Sequence, residues 1–262
     1  MQKIDCKKYA TEILDSVKAI PNKKKLVILT VGDNPASQSY VKGKIRDCEY
    51  CGIPYNHVKL EDAAETPNAL ATYIANTDYD RSVGGIIVQL PLPEGYVESE
   101  FTNLIKPWKD VDGFRSDSWF KPCTPEGIMY ILHKEIGDLS GMNALVIGKG
   151  KLVGEPISKM LLDEGATVTI AHSRTKDLYK LLNTAEIVIS AVGKPNLVNL
   201  EYCHNAEIVI DVGVNRDANG KLVGDCYNFD PDECPGLKVT PVPGGIGLMT
   251  RAMLMKHMGG IT

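Results

Sequence analysis

The sequence contains no apolar run of the roughly 20 residues that a bilayer span requires. A membrane helix is therefore not expected. It also carries no excess of positive charge: 29 Lys and Arg against 33 Asp and Glu leave a formal net charge of −4. A mildly acidic chain exerts no overall pull on nucleic acid or on an anionic membrane, so neither is an expected partner and a small molecule is. The only basic cluster, Lys23-Lys24-Lys25, follows Pro21-Asn22 and reads as a solvated turn before a strand. The stretch from Met1 to Leu14 lacks the basic-then-apolar order of a signal peptide, because Lys3, Asp5, Lys7, Lys8 and Glu12 are scattered through it. The expected location is cytoplasmic. An even cysteine set is missing too: seven cysteines in a long chain argue against a disulfide framework. Cys48 and Cys51 form a C-x-x-C, but no second pair exists to complete a zinc site. A redox pair would open a helix directly after a strand, whereas this one sits late in a helical stretch and reads as two small side chains near a helix end. There is no internal repeat and no low-complexity segment.

What the sequence does have is alternation. With 262 residues, 44% of them hydrophobic and 24% charged, the chain can bury one large α/β core or two smaller ones. Ile4, Ile13, Leu14 and Val17 read as the apolar stripe of a first helix. Strands are expected at 26–31, 56–60 and 85–90, the last stopped by Pro91-Leu92-Pro93. Helices are expected at about 37–51 and from Thr66-Pro67, with Thr66 as cap and Pro67 at the first helical position. A helix from Thr124-Pro125 to about Lys134 precedes a polar linker. A second block of strands then follows at 144–147, 167–171, 187–192 and 208–212, with a short one possible at 239–243. Two blocks of β-α alternation with apolar strands predict two α/β domains, each with a parallel sheet covered on both faces.

The strand 144–147 runs into Gly148-Lys149-Gly150-Lys151-Leu152-Val153-Gly154, a G-x-G-x-x-x-G turn followed by a helix over about 156–162 and another strand. Glycines let the backbone approach a pyrophosphate lying at a helix N-terminus, so this block reads as Rossmann-like and dinucleotide-binding. A plain tight turn is the alternative. At the end of the second strand an NAD site usually carries an acidic residue; here the residues are His172-Ser173-Arg174-Thr175. No carboxylate stands there to repel a 2′-phosphate, and Lys149, Ser173 and Arg174 can contact one, so NADP is expected, with NAD possible. Gly193 and Val214 lie at the ends of the third and fourth strands, where a flat nicotinamide can press against backbone.

In the first block, Tyr40 and Lys44 are four apart and share a helix face. Gln89 stands before the double-proline break, and Asp110-Val111-Asp112-Gly113 follows Pro107-Trp108-Lys109. Taken alone, a Tyr/Lys pair reads as a solvated face.

In order along the chain stand Tyr40-x-x-x-Lys44, Val88-Gln89-Leu90-Pro91-Leu92-Pro93, Lys109-Asp110-Val111-Asp112-Gly113-Phe114, Pro122-Cys123-Thr124-Pro125 and Thr240-Pro241-Val242-Pro243-Gly244-Gly245. Together they resemble the methylenetetrahydrofolate dehydrogenase/methenyltetrahydrofolate cyclohydrolase family over nearly the whole chain. The resemblance implies a folate domain of residues 1–122 joined by a C-terminal helix at 244–262, an NADP domain of 123–243, an active site in the cleft between them, and a homodimer. It implies that Tyr40 stacks on the folate ring system, that Lys44 is the central catalytic group with Gln89 adjusting it, that Asp112 hydrogen-bonds the pterin, and that the Pro243-Gly244-Gly245 loop lines the folate side. The implied substrates are tetrahydrofolate derivatives: 5,10-methylenetetrahydrofolate is oxidised by hydride transfer to NADP, and the methenyl product is hydrolysed to 10-formyltetrahydrofolate.

The chain departs from the family pattern in four places. Lys149 stands where the family commonly has Arg, and lacks its forked geometry. The 115–121 segment is short, Leu248 stands where proline is typical, and the C-terminus ends early. The alternatives are a dehydrogenase with weak or absent cyclohydrolase activity, a shikimate-type dehydrogenase, and a non-catalytic NADP-sensing module.

Overall fold

A computed structural model of the chain describes residues 1–61, 66–229 and 236–261. The elements in the first half are β1 (Gln2–Lys3), α1 (Cys6–Lys18), β2 (Lys25–Val31), α2 (Pro35–Cys51), β3 (Tyr55–Leu60), α3 (Thr66–Tyr79), β4 (Val83–Val88) and α4 (Glu98–Thr102). Next come α5 (Cys123–Glu135), β5 (Asn143–Ile147), α6 (Gly154–Asp163), β6 (Thr167–Ala171), α7 (Leu178–Leu182) and β7 (Ile187–Ser190). The chain ends with β8 (Val198–Asn199), β9 (Ile208–Asp211), β10 (Asn215–Arg216), β11 (Leu222–Val223), β12 (Cys226–Tyr227), β13 (Lys238–Val239) and α8 (Ile246–Met258).

Two compact units result: Thr11–Cys123 with Arg251–Thr262, and Met1–Ala10 with Thr124–Thr250. Residues 1–10 and 244–250, which the family resemblance assigned to the folate domain, thus group with the dinucleotide segment.

In the unit built from Thr11–Cys123, β3, β2 and β4 form a parallel sheet with β2 in the centre. The order follows from composition. Leu26 to Val31 is buried at every position, as a strand covered on both faces must be, whereas Tyr55, Asn56, His57 and Lys59 leave β3 exposed at an edge. Val27, Leu29, Leu70, Ile74, Ile86, Val88 and Phe101 form the core between this sheet and α3.

The other unit holds a six-stranded parallel sheet in the order β1-β13-β9-β7-β5-β6. Its central strands β7 and β9 are buried throughout, while β6 lies at an edge with Ile170 43% exposed. Leu145, Ile147, Val188 and Val209 anchor the core on one face.

The expected strands and helices are present, with shifts at their ends. The expected strand 85–90 is β4 and stops at Val88; Gln89 lies just past it, its N–H still donating to Leu29 O at 2.8 Å. Val192 and Val212 likewise lie past β7 and β9, and the strand expected at 239–243 is the two-residue β13, Lys238–Val239. The first-helix stripe is corrected at its start. Ile4 precedes α1 and its N–H donates to Val239 O at 3.0 Å, while Gln2–Lys3 pairs with β13. The buried stripe of α1 is Cys6, Ala10, Ile13 and Val17.

Candidate active site

α2 carries two faces with different contents. Val41 and Cys48 are buried apolar, and Lys44, between them, is only 5% exposed. A buried ammonium needs a partner, and Asp112 supplies one: Lys44 Nζ lies 3.6 Å from Asp112 Oδ2. Tyr40 sits one turn earlier and is half-buried. Burial pushes its phenol above the ordinary value, with the Arg251 charge working in the opposite direction. Arg251 of α8 lies along α2: its Nε donates to Asp47 Oδ2 at 2.6 Å, and its guanidinium occupies the space a Cβ on Gly43 would take. Tyr40 and Lys44 are therefore not a solvated face. Sequence reasoning did not single out Arg251, because nothing local links it to α2. At the far end of the helix, burial raises the Cys48 thiol to about 12 and the Cys51 thiol to about 11, so both stay protonated and serve as packing.

Asp112 is held by a tightly tied loop. Lys109 is buried and its Nζ donates to Thr77 O, Asp78 O and Asp80 O at 3.1, 2.7 and 2.9 Å, capping the end of α3. Asp110 is buried, which raises its carboxyl, and one oxygen accepts Arg115 N–H at 2.8 Å. His257 Nδ1 lies 2.7 Å from Val111 O, and Cys123 N–H donates to Asp112 O at 3.2 Å. Gly113 has φ +71°, and a Cβ there would strike the Lys121–Pro122 backbone. The short 115–121 segment is compact: Arg115 grips both oxygens of Asp117 and reaches Asn103 O, and Ser118 Oγ donates to Asp110 O.

Gln89 emerges from β4 and is 9% exposed. Its Nε2 donates to Leu90 O at 2.7 Å, and its Oε1 is buried without a protein partner. Ser37 Oγ, one turn before Tyr40 on α2, is in the same condition. Both residues line a cavity of about 400 Å³ with Thr30, Val41 and Ile45. Two orphaned buried polar atoms are groups prepared for something other than protein. Ser37 was not anticipated; its signal was its place one turn before Tyr40.

The other unit holds the candidate dinucleotide residues. Gly148 has φ +110°, a Cβ on Gly154 would collide with Gly148 O, and a Cβ on Gly150 would meet nothing within 4 Å. The turn is thus closed between its outer glycines and open at the middle one, as backbone approach by a pyrophosphate needs. Val153 caps α6 with no side-chain hydrogen bond. Lys149, Ser173 and Arg174 are exposed, and Arg174 N–H donates to His172 Nδ1 at 3.1 Å in a tight turn. Gly193 has φ +67°, and Val214 is exposed. Pro243 and Gly244 are exposed in the turn before α8, and Gly245 is buried against Pro241 O. Leu248 N–H donates to Gly245 O at 3.0 Å, a bond that a proline there could not make.

Comparison with known proteins fits this geometry. The model for the tetrahydrofolate dehydrogenase/cyclohydrolase catalytic domain matches residues 4–112, and that for the NAD(P)-binding domain matches residues 122–261. A protein named bifunctional protein FolD from Staphylococcus carnosus is 43% identical over 96% of this chain and 92% of its own length. The crystal structure of the bifunctional methylenetetrahydrofolate dehydrogenase/cyclohydrolase of Campylobacter jejuni superposes with a TM-score of 0.91 at 38% identity, covering 100% of this chain and 98% of that one. The Trypanosoma brucei dehydrogenase-cyclohydrolase, solved with NADP and an inhibitor, gives a TM-score of 0.88 at 29% identity, covering 97% and 95%.

Proposed function

Because this chain belongs to the tetrahydrofolate dehydrogenase/cyclohydrolase family, we propose that it oxidises 5,10-methylenetetrahydrofolate with NADP and hydrolyses the methenyl product to 10-formyltetrahydrofolate. The observation that carries this reading is the buried Lys44–Asp112 pair beside Tyr40. A lysine and a carboxylate withdrawn from water at this spacing are costly to fold and useful to a reaction.

Asp112 offers carboxylate acceptors to the amino and ring N–H donors of a pterin, and the Tyr40 ring offers a stacking face. The Pro243-Gly244-Gly245 turn contributes further folate contacts. During oxidation the substrate's own nitrogen lone pair stabilises the cation left at the methylene carbon, so the residues have only to position the reactants. Gly148, Gly150 and Gly154 would hold the pyrophosphate of NADP, Lys149, Ser173 and Arg174 its 2′-phosphate, and Gly193 and Val214 its nicotinamide. The bound dinucleotide supplies the hydride acceptor.

Hydrolysis asks more of the protein. Water attacks the methenyl carbon and gives up one proton to Lys44; the C–N5 bond of the resulting carbinolamine then breaks, the hydroxyl proton passing to N5 and the carbon staying on N10 as the formyl group. Gln89 can hydrogen-bond the Lys44 amine without adding charge. The assembly is a homodimer in this reading. No described helix is long and apolar enough to cross a membrane.

The test is kinetic. Purified protein with 5,10-methylenetetrahydrofolate and NADP should generate reduced-cofactor absorbance, with little methenyl accumulation. Lys44→Ala should abolish hydrolysis and slow oxidation much less. Equal loss of both with folate binding intact would show that the role given to Lys44 is wrong.

A further inference from the structure

Past β7 and β9 the chain turns at the carboxyl ends of parallel strands, where a ligand of such a sheet lies. Both turns are held by one side chain from neither strand. Asp225, fully buried, accepts Ser190 Oγ–H at 2.9 Å, Val192 N–H at 3.0 Å and Gly193 N–H at 3.2 Å on Oδ2. Its Oδ1 accepts Lys194 N–H at 2.8 Å and Asn215 Nδ2–H at 3.0 Å. Three consecutive backbone N–H groups of the 192–194 turn are thus gathered on one carboxylate, and Gly193 takes its left-handed conformation there.

Asp225 is fixed in turn by Asp211, the last residue of β9. Asp211 accepts Asp225 N–H at 3.0 Å and Gly213 N–H at 2.9 Å on one oxygen, and Cys226 N–H at 2.9 Å on the other. The arrangement is reciprocal. A Cβ on Gly213 would enter the Asp225 carboxylate, and a Cβ on Gly224 would enter that of Asp211. Each aspartate therefore reaches its donors only because the facing segment has a glycine. A carboxylate placed merely to fill a core would not be surrounded by five donors drawn from two ligand-end turns.

We propose that Asp225 is the positioning residue of the dinucleotide site, setting the 192–194 turn through its backbone N–H groups and the start of β10 through Asn215. The inference rests on the reading of Gly193 and Val214 as nicotinamide contacts. It concerns cofactor affinity and not the folate residues, so cofactor binding and methenyl hydrolysis should separate.

Asp225→Asn is the informative change. Whichever way the amide is oriented, its NH2 faces N–H donors that now have no acceptor. NADPH fluorescence titration of the full-length variant should show affinity weakened by about tenfold or more. Hydrolysis of supplied methenyltetrahydrofolate without dinucleotide should stay close to the parent rate. Unchanged NADPH affinity would overturn the proposal. So would a parallel loss of hydrolysis, which would mark Asp225 as structural only. If Asp225→Asn does not fold, Ser190→Ala combined with Asn215→Ala removes two donors and keeps the charge. That variant should weaken NADPH by several-fold, and unaltered affinity would again overturn the inference. If the parent protein itself fails to bind NADPH, the dinucleotide reading falls first and takes this one with it.

Discussion

Single residues in this chain are fixed less by their type than by what stands against them, and the glycines make the case. Gly43 and Gly154 both lack room for a methyl group, but the obstacles differ. At Gly43 the obstacle is the guanidinium end of Arg251, which can swing away. At Gly154 it is the Gly148 carbonyl, which is backbone and cannot. Gly154→Ala should therefore pry the dinucleotide turn open: KM for NADP should rise by about tenfold, with destabilisation of roughly 1–3 kcal/mol, while hydrolysis of supplied methenyltetrahydrofolate is nearly kept. An unchanged KM would mean that the closure of Gly154 on Gly148 does not shape the site. The spacing of Gly148, Gly150 and Gly154 marked the turn in the sequence, but not which glycine is indispensable. Asp211 and Asp225 left no comparable mark. A buried carboxylate collecting N–H groups from distant turns has neither periodicity nor fixed spacing, and only the Asp211-x-Gly213 and Gly224-Asp225 pairs hinted at it.

Among the elements, legibility followed burial. β2, β5, β7 and β9 are apolar on both faces and were evident from their runs of Val, Ile and Leu. β1 and β13 are two residues each and owe their form to a neighbouring strand; no local pattern announces β1, while β13 overlaps the short strand expected at 239–243 only at Val239. In the motif Lys109–Phe114 only Asp112 was given a chemical role, and much of the rest is architecture. Lys109 ties off the C-terminal end of α3, donating to three carbonyls at and just past the helix end, of which Thr77 O and Asp80 O also accept backbone N–H groups. Lys109→Met keeps the volume and removes the donors. It should cost roughly 2–3 kcal/mol in the unit that contains it, because buried acceptors lose charged hydrogen bonds. Urea unfolding followed by far-ultraviolet circular dichroism would measure this. A midpoint within error of the parent would show that water or a shifted helix end satisfies those carbonyls equally well.

At the scale of the whole molecule, the open question raised by the fold is what covers its exposed edge. β6 ends the six-stranded sheet, and among the described residues no strand pairs with its outer side. Thr167, Thr169 and Ile170 are exposed along it, and Leu162 near the end of α6 is 56% exposed. Natural sheets blunt such edges with charge, proline or a bulge, and β6 has none of these: it reads Thr-Val-Thr-Ile-Ala in unbroken register with β5. An uncharged β-branched edge beside an exposed leucine suits a second copy of the same surface across a two-fold axis. The homodimer proposed above would then have its contact on β6. Ile170→Lys puts a charge there that meets its own image in the dimer, while in a monomer it only adds a solvated side chain. Light scattering after size exclusion should give twice the chain mass for the parent and a shift toward the single-chain mass for the variant at micromolar concentration. A parent that is already monomeric would remove the homodimer. A variant that stays dimeric would move the contact to another surface.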